Sequence, residues 1–449
     1  MRLLMYFMLM LIGLSSCESS FLEAGSDKSK VIPQSLQDFQ ALLDKPTVMN
    51  GNSGHNIGLL ASDEYTISDA NWALQSSAFE KAVYLWQDYG REDVLDWNYP
   101  YKRILYCNTV IEGLQKLGTA EKQKLEWQYT NGSAHFFRAL TFFELAQTFC
   151  KTYDASTLST DLGLPLKTES AVEVIPQRSS LADTYNFILQ DALLALEQLP
   201  EVQVNKERPI KLAAQALLSR IYLYMGDYPK AGEYAERVLE VLPDLLDYNS
   251  LDLTTSYTFP YRGIGNVEVI FMYVASGPSE VSFNASEKFL SYYGKDDLRR
   301  QAFFLDMPDN RKLFKGSYNS YDGRFTGFST SELYLNAAES AIRTGNKEKA
   351  IEYVNTLGKY RIKDYIDLRP QDFPDNKAVL EYVLKERRKE LYGRGLHWGD
   401  LKRLNHEGVF RDTLKRTLNG QEFVLLPNSP KYVWPLPASV VELSGLEQN

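Results

Sequence analysis

The chain has 449 residues, of which 44% are hydrophobic and 24% charged, and its formal net charge is −9 at pH 7. This composition can bury a large core, while the acidic balance argues against nucleic-acid binding, because no basic excess is present to neutralise phosphates. Tyrosine is abundant, with 29 residues beside 6 tryptophans. Aromatic rings with a polar edge suit a binder of sugars or peptides, although they also fill cores.

The first segment of the chain has the features of a secretory signal peptide. Arg2 precedes an apolar run over residues 3–14, which ends in Leu14-Ser15-Ser16-Cys17. The run is about a dozen residues, shorter than the roughly 20 that span a bilayer as a helix. The last four residues match the lipobox of bacterial lipoproteins, whose cysteine is lipidated as the preceding peptide is removed. We therefore expect residues 1–16 to be a signal peptide and Cys17 to carry acyl chains; an ordinary signal peptide with a chance cysteine is the alternative.

The next segment, residues 17–30, is polar and rich in serine, a composition that cannot bury a core. It is interpreted as a lipidated tether that holds a folded body, residues 31–449, off a membrane. No later segment approaches 18 consecutive apolar residues, so no other membrane span is expected.

Apolar residues recur with the 3.6-residue period of an α-helix through much of the body. The pattern predicts helices over 96–116, 120–150, 181–199 and 212–224. Cys107 and Cys150 fall on the first two helices. If these helices form an antiparallel hairpin, the cysteines lie about 33 Å apart along it. Because a disulfide needs Cα atoms within about 7 Å, we expect none.

The clearest internal signal is a repeat of two helix hairpins, over 213–243 and 332–358. In each copy a turn glycine, Gly226 or Gly345, precedes a small residue at the helix crossing, Ala231 or Ala350, by five positions. This spacing is typical of a tetratricopeptide hairpin. The sequence therefore predicts a mainly α fold, a tetratricopeptide-like helical repeat frame with long irregular loops and a few short β-strands.

Two stretches, about 50–95 and 244–328, depart from this helical pattern. The first contains Asn50-Gly51-Asn52-Ser53-Gly54, and the second is rich in Gly, Ser, Asn and Tyr, with a β-like run over 267–273. Both are predicted to be long loops inserted in the helical frame. Loops on a rigid frame commonly carry binding residues.

Aromatic and polar residues in these two stretches are the candidate ligand contacts. A sugar ring has an apolar face that can stack on an aromatic plane, and its hydroxyls can bond to side chains such as Asp69, Asn319 and Asp322. Tyr257 and Tyr261 lie in similar surroundings, and ordinary packing is the alternative for every ring. Trp72 is the leading candidate, because no clear helical stripe follows it. The predicted ligand-binding residues are Trp72, Asn71, Trp86, Tyr89, Tyr292, Tyr293, Tyr318 and Tyr321.

A charged box over residues 385–403 is the strongest candidate for catalysis, with Glu386, Glu390, His397 and Asp400 as acids and bases. The favoured interpretation is structural: carboxylates and arginines spaced i,i+4 on a solvated helix face, and Asp400 packed against Arg403. The chain has no Gly-x-Ser-x-Gly, His-Glu-x-x-His or P-loop motif. Its 4 histidines are scattered without metal-ligand spacing. We therefore expect neither a catalytic residue nor a metal or cofactor.

Several motifs, taken in order, resemble those of the SusD/RagB family of outer-membrane lipoproteins from Bacteroidetes-type bacteria. They are the W-x3-Y-x2-I-x3-N pattern from Trp97 to Asn108, Ala134 to Leu140, Arg178 to Tyr185, the boxes Glu386 to Leu391 and Gly395 to Leu404, Trp434 to Pro437, and Glu447 to Asn449. The resemblance covers nearly the whole mature chain. Gly393-Arg394-Gly395 departs from the family's usual Phe-Glu-Gly, and the chain is short for the family.

The resemblance implies a lipid-anchored protein on the outer face of the outer membrane. Members of the family cap a SusC-like TonB-dependent transporter as a lid that captures oligosaccharides, or peptides in some branches, and they bind ligands without chemistry. Two alternatives stay open. A lipid-anchored tetratricopeptide scaffold would bind only proteins, and a surface hydrolase would need a carboxylate pair about 5 to 9.5 Å apart in a cleft.

Overall fold

The computed structural model describes residues 33–202, 204–278, 283–408 and 410–449, and this part of the chain is built mainly of α-helices, as the sequence predicts. The predicted signal peptide and the whole of the predicted tether, including Cys17, lie outside the described residues. In chain order the helices are α1 Leu36–Leu43, α2 Pro46–Met49, α3 Asn56–Ala61, α4 Asp69–Leu74, α5 Ala78–Tyr84, α6 Leu95–Lys116, α7 Thr119–Lys122, α8 Leu125–Phe149, α9 Leu181–Gln198, α10 Lys211–Met225, α11 Tyr228–Val241, α12 Glu287–Leu290, α13 Arg299–Phe303, α14 Thr330–Arg343, α15 Lys347–Lys359, α16 Asn376–Glu390, α17 His397–Glu407 and α18 Ala438–Ser444. Within the described ranges, no helix combines the length and apolar character that a membrane crossing requires.

The two long helices α6 and α8 pack together and place α8 in the centre of the core. Nearly every side chain of α8 from Thr130 to Phe149 is buried, because apolar residues occupy most of its circumference. Cys107 on α6 and Cys150 at the end of α8 are buried free thiols. Burial raises the pKa of Cys107 to about 12 and that of Cys150 to about 11, because the charged thiolate loses its hydration.

The two predicted repeat hairpins are α10–α11 and α14–α15. Gly226 ends α10 in the left-handed conformation, with φ of 76°, which glycine adopts without steric cost. Asp227 and Asn346 then cap α11 and α15 through their side chains. Ala231 and Ala350 are fully buried, so the small residues lie in the packed hairpins as the repeat spacing requires.

The strands are short and pair antiparallel in two-stranded sheets. They are β1 Tyr65–Thr66 with β6 Asn284–Ala285, β2 Leu162–Pro165 with β3 Arg178–Ser180, β4 Val269–Phe271 with β10 Phe328–Ser329, β5 Val274–Ala275 with β9 Arg324–Phe325, β7 Phe304–Asp306 with β8 Lys312–Phe314, and β11 Leu414–Leu418 with β12 Gln421–Leu425. The β11–β12 hairpin turns at Asn419 and Gly420, both with positive φ. The β1–β6 pair joins the 50–95 stretch to the 244–328 stretch.

The 50–95 stretch contains short helices rather than one long loop, which corrects the expectation from the sequence. It holds α3, α4 and α5, and serine side chains cap the last two, Ser68 for α4 and Ser77 for α5. These helices are 6 or 7 residues long, too short for their apolar period to stand out in the sequence.

The charged box on α16 is buried and not a solvated face, which is a second correction. Glu386, Arg387 and Glu390 are each less than 5% exposed. Arg299 bridges Glu386 at 2.7 Å and Glu390 at 3.3 Å, and Arg361 lies 3.0 Å from Glu390. These arginines come from distant parts of the chain, so the local i,i+4 spacing did not identify them as partners. The expected pair of Asp400 and Arg403 is present at 2.8 Å.

Candidate functional site

A polar cleft of about 320 Å³ lies where the turn after α2 meets three segments of the 244–328 stretch. Its lining residues are Pro46, Thr47, Asn50, Gly51, Asn52, Glu207, Arg262, Met272, Val274, Ala275, Ser276, Asn319, Asp322 and Gly323. The volume is within the range of small-molecule sites, roughly 300–1,000 Å³.

Hydrogen bonds to the backbone hold one wall of the cleft, residues 50–53. The Asn50 side chain donates to the carbonyl oxygens of Glu207 and Met272, each at 2.9 Å, and the Asn50 carbonyl accepts from the Val274 N–H at 2.8 Å. From the other side, the buried Arg103 guanidinium donates to the carbonyl of Gly51 at 2.8 Å. Because these contacts come from distant elements, the wall is fixed by tertiary structure.

The opposite wall is a tight turn over residues 317–325. The Ser317 hydroxyl accepts from the Phe325 N–H at 3.0 Å and donates to the Gly323 carbonyl at 2.7 Å. Gly323 has φ of 88°, and a Cβ atom there would lie 2.6 Å from the carbonyl oxygen of Ala275. Only glycine fits this position.

Charged and amide groups surround the opening of the cleft. Arg262 Nη1 lies 2.7 Å from Glu207 Oε1, and the backbone N–H of Arg262 donates to Asn319 at 3.1 Å. Burial lowers the pKa of Arg262, but its bond to Tyr261 and the charge of Glu207 outweigh this and raise the pKa. Asp322 is exposed beside them. The cleft therefore presents both donors and acceptors, as recognition of a hydroxyl-rich ligand requires.

Three tyrosines outside the lining form a second feature, which we call the tyrosine platform: Tyr257, Tyr261 and Tyr321. The Tyr321 ring centroid is 5.8 Å from that of Tyr257 and 6.0 Å from that of Tyr261. Tyr321 is 69% exposed and Tyr257 is 50% exposed. The Nε of Arg262 donates to the Tyr261 hydroxyl at 2.9 Å, which connects the platform to the cleft.

Four of the predicted ligand-binding aromatics are buried in the core. Trp86 is 2% exposed and donates from its indole to the Ala61 carbonyl at 2.8 Å. The Tyr89 hydroxyl donates to the Pro435 carbonyl. The Tyr293 hydroxyl donates to the Lys389 carbonyl at 2.9 Å, and that of Tyr318 donates to Glu268 at 2.7 Å. Each of these rings is at most 8% exposed and its polar atom has a partner, so the rings pack in the core and present little surface to a ligand.

The remaining candidates lie in different places. Tyr321 belongs to the tyrosine platform, while Tyr292 is half-buried against Arg388, with a donor–acceptor distance of 3.2 Å. Trp72 is half-buried on α4, with its ring centroid 5.8 Å from that of Tyr84. Asn71 is its neighbour on the same helix and is also half-buried. Trp72 and Asn71 do not line the polar cleft.

The sequence also left some cleft residues unidentified. Asn319 and Asp322 were expected as polar ligand contacts, and both line the cleft. Arg262 and Glu207 were not predicted as ligand contacts. An isolated arginine next to a tyrosine is a weak signal, and Glu207 lies in a separate loop. The Asn50–Gly54 motif indicated an irregular segment but not its role as a wall.

The four candidate acids and bases of the charged box, Glu386, Glu390, His397 and Asp400, each lie next to a side chain that can carry the opposite charge. Neighbouring arginines outweigh burial and lower the pKa of Asp400 to about 2 and that of Glu390 to about 2. His397 Nε2 lies 2.8 Å from Asp63 Oδ1. Among the described residues, no group of three or more His, Cys, Asp or Glu side chains could hold a metal ion.

Two family models match the sequence. Residues 20–223 match a SusD-like model described as starch-binding and associating with the outer membrane. Residues 310–449 match the SusD family model. The two matches cover most of the chain and include the hairpin α14–α15 and all of α10 except its last two residues.

Individual relatives agree with these matches. SusD-like protein P38 of Formosa agariphila is 21% identical over 388 residues, covering 70% of this chain and 72% of that protein. SusD-like protein P2 of the same organism is 31% identical over 113 residues, which is 24% of this chain but only 19% of that protein. The fold is similar to that of a Bacteroides vulgatus protein described as sugar-binding, with a TM-score of 0.74 at 22% identity, covering 94% of this chain and 99% of that one.

Proposed function

The chain belongs to the SusD/RagB family, and from this premise we propose that it captures an oligosaccharide at the cell surface and delivers it to a SusC-like TonB-dependent transporter. In this proposal the protein acts by binding and not by catalysis. Lipid chains on Cys17 anchor it to the outer membrane, with the body facing the cell exterior. A peptide ligand, as in some branches of the family, is the second candidate.

The observation that supports saccharide binding is the tyrosine platform next to the polar cleft. Tyr261 and Tyr321 are nearly parallel, with an interplanar angle of 10°, and Tyr321 is widely exposed. A pyranose ring can lie on such a ring with its apolar face, while its hydroxyls bond to Arg262, Asn319 and Asp322 at the cleft. Stacking of this kind contributes on the order of 1–3 kcal/mol per ring, by analogy with base–aromatic stacking. The sugar-binding description of a structural neighbour is consistent with this ligand class.

The experiment that tests the ligand class is a screen of the purified chain against glycan and peptide libraries. We expect binding to glycans, and Tyr321→Ala and Arg262→Ala to weaken it by roughly tenfold each. Tyr360→Ala is the matched control, because Tyr360 is an exposed tyrosine, 36% accessible, outside the platform and cleft. Binding only to peptides favours the second candidate. Binding to neither class favours the protein-only tetratricopeptide scaffold, and turnover of a glycan favours the hydrolase alternative.

The partner and the anchor need separate tests in the native membrane. We expect the protein to copurify in mild detergent with a large outer-membrane barrel protein. We also expect Cys17→Ala to abolish acyl labelling and release the protein from membranes. Recovery as a free monomer at endogenous levels contradicts the lid role, and membrane retention of Cys17→Ala contradicts the lipid anchor.

A further inference from the structure

A second cavity, separate from the polar cleft, lies between helices α16 and α17 and residues 410–412. Its volume is about 360 Å³, and it shares no lining residue with the polar cleft. We call it the α16–α17 cavity. Its lining residues are Tyr292, Glu381, Leu384, Lys385, Arg387, Arg388, His397, Asp400, Leu401, Leu404, Phe410, Arg411 and Asp412.

Apolar side chains line much of this cavity. Leu384 comes from α16, Leu401 and Leu404 from α17, and Phe410 from residues 410–412. Leu384, Leu404 and Phe410 are only partly buried, so part of each side chain remains open. An apolar group of a ligand would bury this surface at a gain of roughly 25 cal/mol per Å².

Positive charge at the cavity is only partly compensated. Lys385 and Arg411 are exposed and form no ion pair with any described residue, although the Lys385 ammonium lies 5.4 Å from the Tyr292 ring centroid. Arg388 pairs through Nη2 with Asp63 at 2.5 Å, yet its buried Nε has no hydrogen-bond partner within the described residues. Arg387 is 2% exposed, and its Nη2 also has no hydrogen-bond partner among the described residues.

The carboxylates that line the cavity already have cationic partners outside it. Asp400 binds Arg403, which lies outside the cavity, and Arg387, which lines it, each at 2.8 Å. Asp412 lies 3.5 Å from Lys288, and Glu381 lies 3.9 Å from Lys377. These acids therefore leave the charges of Lys385 and Arg411 available to an anion. A carboxylate suits this arrangement, because its two oxygens accept charge-assisted hydrogen bonds from arginine and lysine.

We propose that the α16–α17 cavity binds an amphipathic carboxylate, with the apolar body against Leu384, Leu404 and Phe410 and the carboxylate at Lys385, Arg388 and Arg411. Either a free carboxylic acid or the C-terminal residue of a peptide has this chemistry. The proposal does not depend on the saccharide proposal, because the two sites have different residues. We therefore expect a variant that loses one site to keep the other.

Calorimetric titration with matched ligands tests the proposal. The chain lacking residues 1–17 retains every described residue and is titrated with octanoate and with 1-octanol. A second pair, acetyl-Ala-Ala-Leu with a free carboxylate and the same peptide as its amide, distinguishes the two sources. We expect saturable binding of a carboxylate member and at least tenfold weaker binding of its neutral partner, since a charge-assisted hydrogen bond is lost.

Variants then locate the binding. Lys385→Ala and Arg411→Ala change exposed side chains and should preserve the fold, and the pair together should weaken carboxylate binding roughly tenfold or more. Lys295→Ala is the control, because Lys295 is a lysine that is 91% exposed and lies outside the cavity. Leu404→Trp should block binding by filling the cavity. Three results would overturn the proposal. The first is equal affinity for octanoate and octanol together with no preference between the two peptides, the second is no saturable binding of either carboxylate, and the third is unchanged carboxylate binding in the double variant.

Discussion

Arg220 and Glu332 form a bidentate ion pair between the two repeat hairpins, with Nε to Oε1 at 2.7 Å and Nη2 to Oε2 at 2.6 Å. Both side chains are at most 1% exposed. Arg220 belongs to α10 in the first hairpin and Glu332 to α14 in the second. The pair therefore fixes how the two copies of the repeat pack on each other.

Removing one member of this pair should destabilise the protein strongly. Glu332→Ala leaves the Arg220 guanidinium buried without its carboxylate, and breaking a buried pair in this way costs about 3–5 kcal/mol. The matched control is Glu233→Ala, which breaks an i,i+4 pair with Arg237 in which both side chains are at least half-exposed. We expect the control to change stability by less than about 0.5 kcal/mol. Chemical denaturation of both variants measures the difference in the free energy of unfolding. Equal losses of stability in the two variants would contradict a stabilising role of the buried pair.

Trp72→Ala should reduce stability and leave saccharide binding unchanged. The Trp72 ring packs on Tyr84, and the Lys81 ammonium lies 5.4 Å from its centroid. Loss of these contacts costs about 1–2 kcal/mol. Leu74→Ala is the control on the same helix, because Leu74 is 81% exposed. If Trp72→Ala instead weakens glycan binding without lowering the melting temperature, Trp72 is a ligand contact as the sequence first suggested.

Gly323→Ala should damage both the fold and the polar cleft. The new Cβ atom would meet the Ala275 carbonyl at 2.6 Å, and the positive φ penalises any side chain. We expect a loss of at least about 1 kcal/mol and weaker glycan binding, because the turn carries Asn319 and Asp322. Gly294→Ala is the control, since no atom lies within 4 Å of a Cβ atom there. Unfolding and glycan-binding measurements should show losses for Gly323→Ala and not for Gly294→Ala. Similar stability and affinity in the two variants would contradict the role of the turn.

Glu64 should make the protein less stable as the pH rises from about 4.5 to about 7. Burial raises the pKa of Glu64 from 4.5 to about 7. Between pH 4.5 and about 7 the folded state keeps a proton on Glu64 that the unfolded state has released. The free energy of unfolding is therefore highest below pH 4.5, where Glu64 is protonated in both states, and it falls as the pH rises through 7. The total is a few kcal/mol, at about 1.4 kcal/mol per pH unit.

Glu64→Gln removes this titration and should make the stability profile less steep over that pH range, although the buried Asp96, whose pKa burial raises to about 6, still titrates there. Denaturation midpoints of the two proteins, measured at half-unit intervals of pH, check the difference. A control is Glu112→Gln, because Glu112 is a partly buried glutamate whose pKa is lowered and does not titrate between pH 5 and 7. Parallel profiles for the original protein and Glu64→Gln contradict the prediction.

The sequence predicted the hairpins well because their signals are local. Gly226, Ala231 and their counterparts Gly345 and Ala350 lie within one hairpin each, and the turn and crossing geometry depend on neighbours only a few residues away. The helix bounds of α6, α9 and α10 follow from apolar period in the same way, and they fall within one residue of the prediction. The start of α8, predicted at residue 120, was wrong by five residues because the short helix α7 precedes it.

The aromatic candidates were harder to place because their partners are distant in sequence. Tyr89 looks solvated among Asp88, Gly90 and Arg91, yet its hydroxyl reaches Pro435, 346 residues away. A polar neighbourhood in sequence therefore gave no measure of burial. The cleft depends on the same kind of contact, since Asn50 is held by Met272 at a separation of 222 residues.

The two buried thiols make the molecule convenient for site-directed labelling. Cys107 and Cys150 are fully enclosed, and their raised pKa values keep them protonated near neutral pH, so maleimide reagents should leave both unmodified. In the chain lacking residues 1–17, an introduced cysteine at the exposed Ser276 would then be the reactive thiol among the described residues. A dye attached there, at the rim of the polar cleft, would report ligand arrival directly as a change in fluorescence.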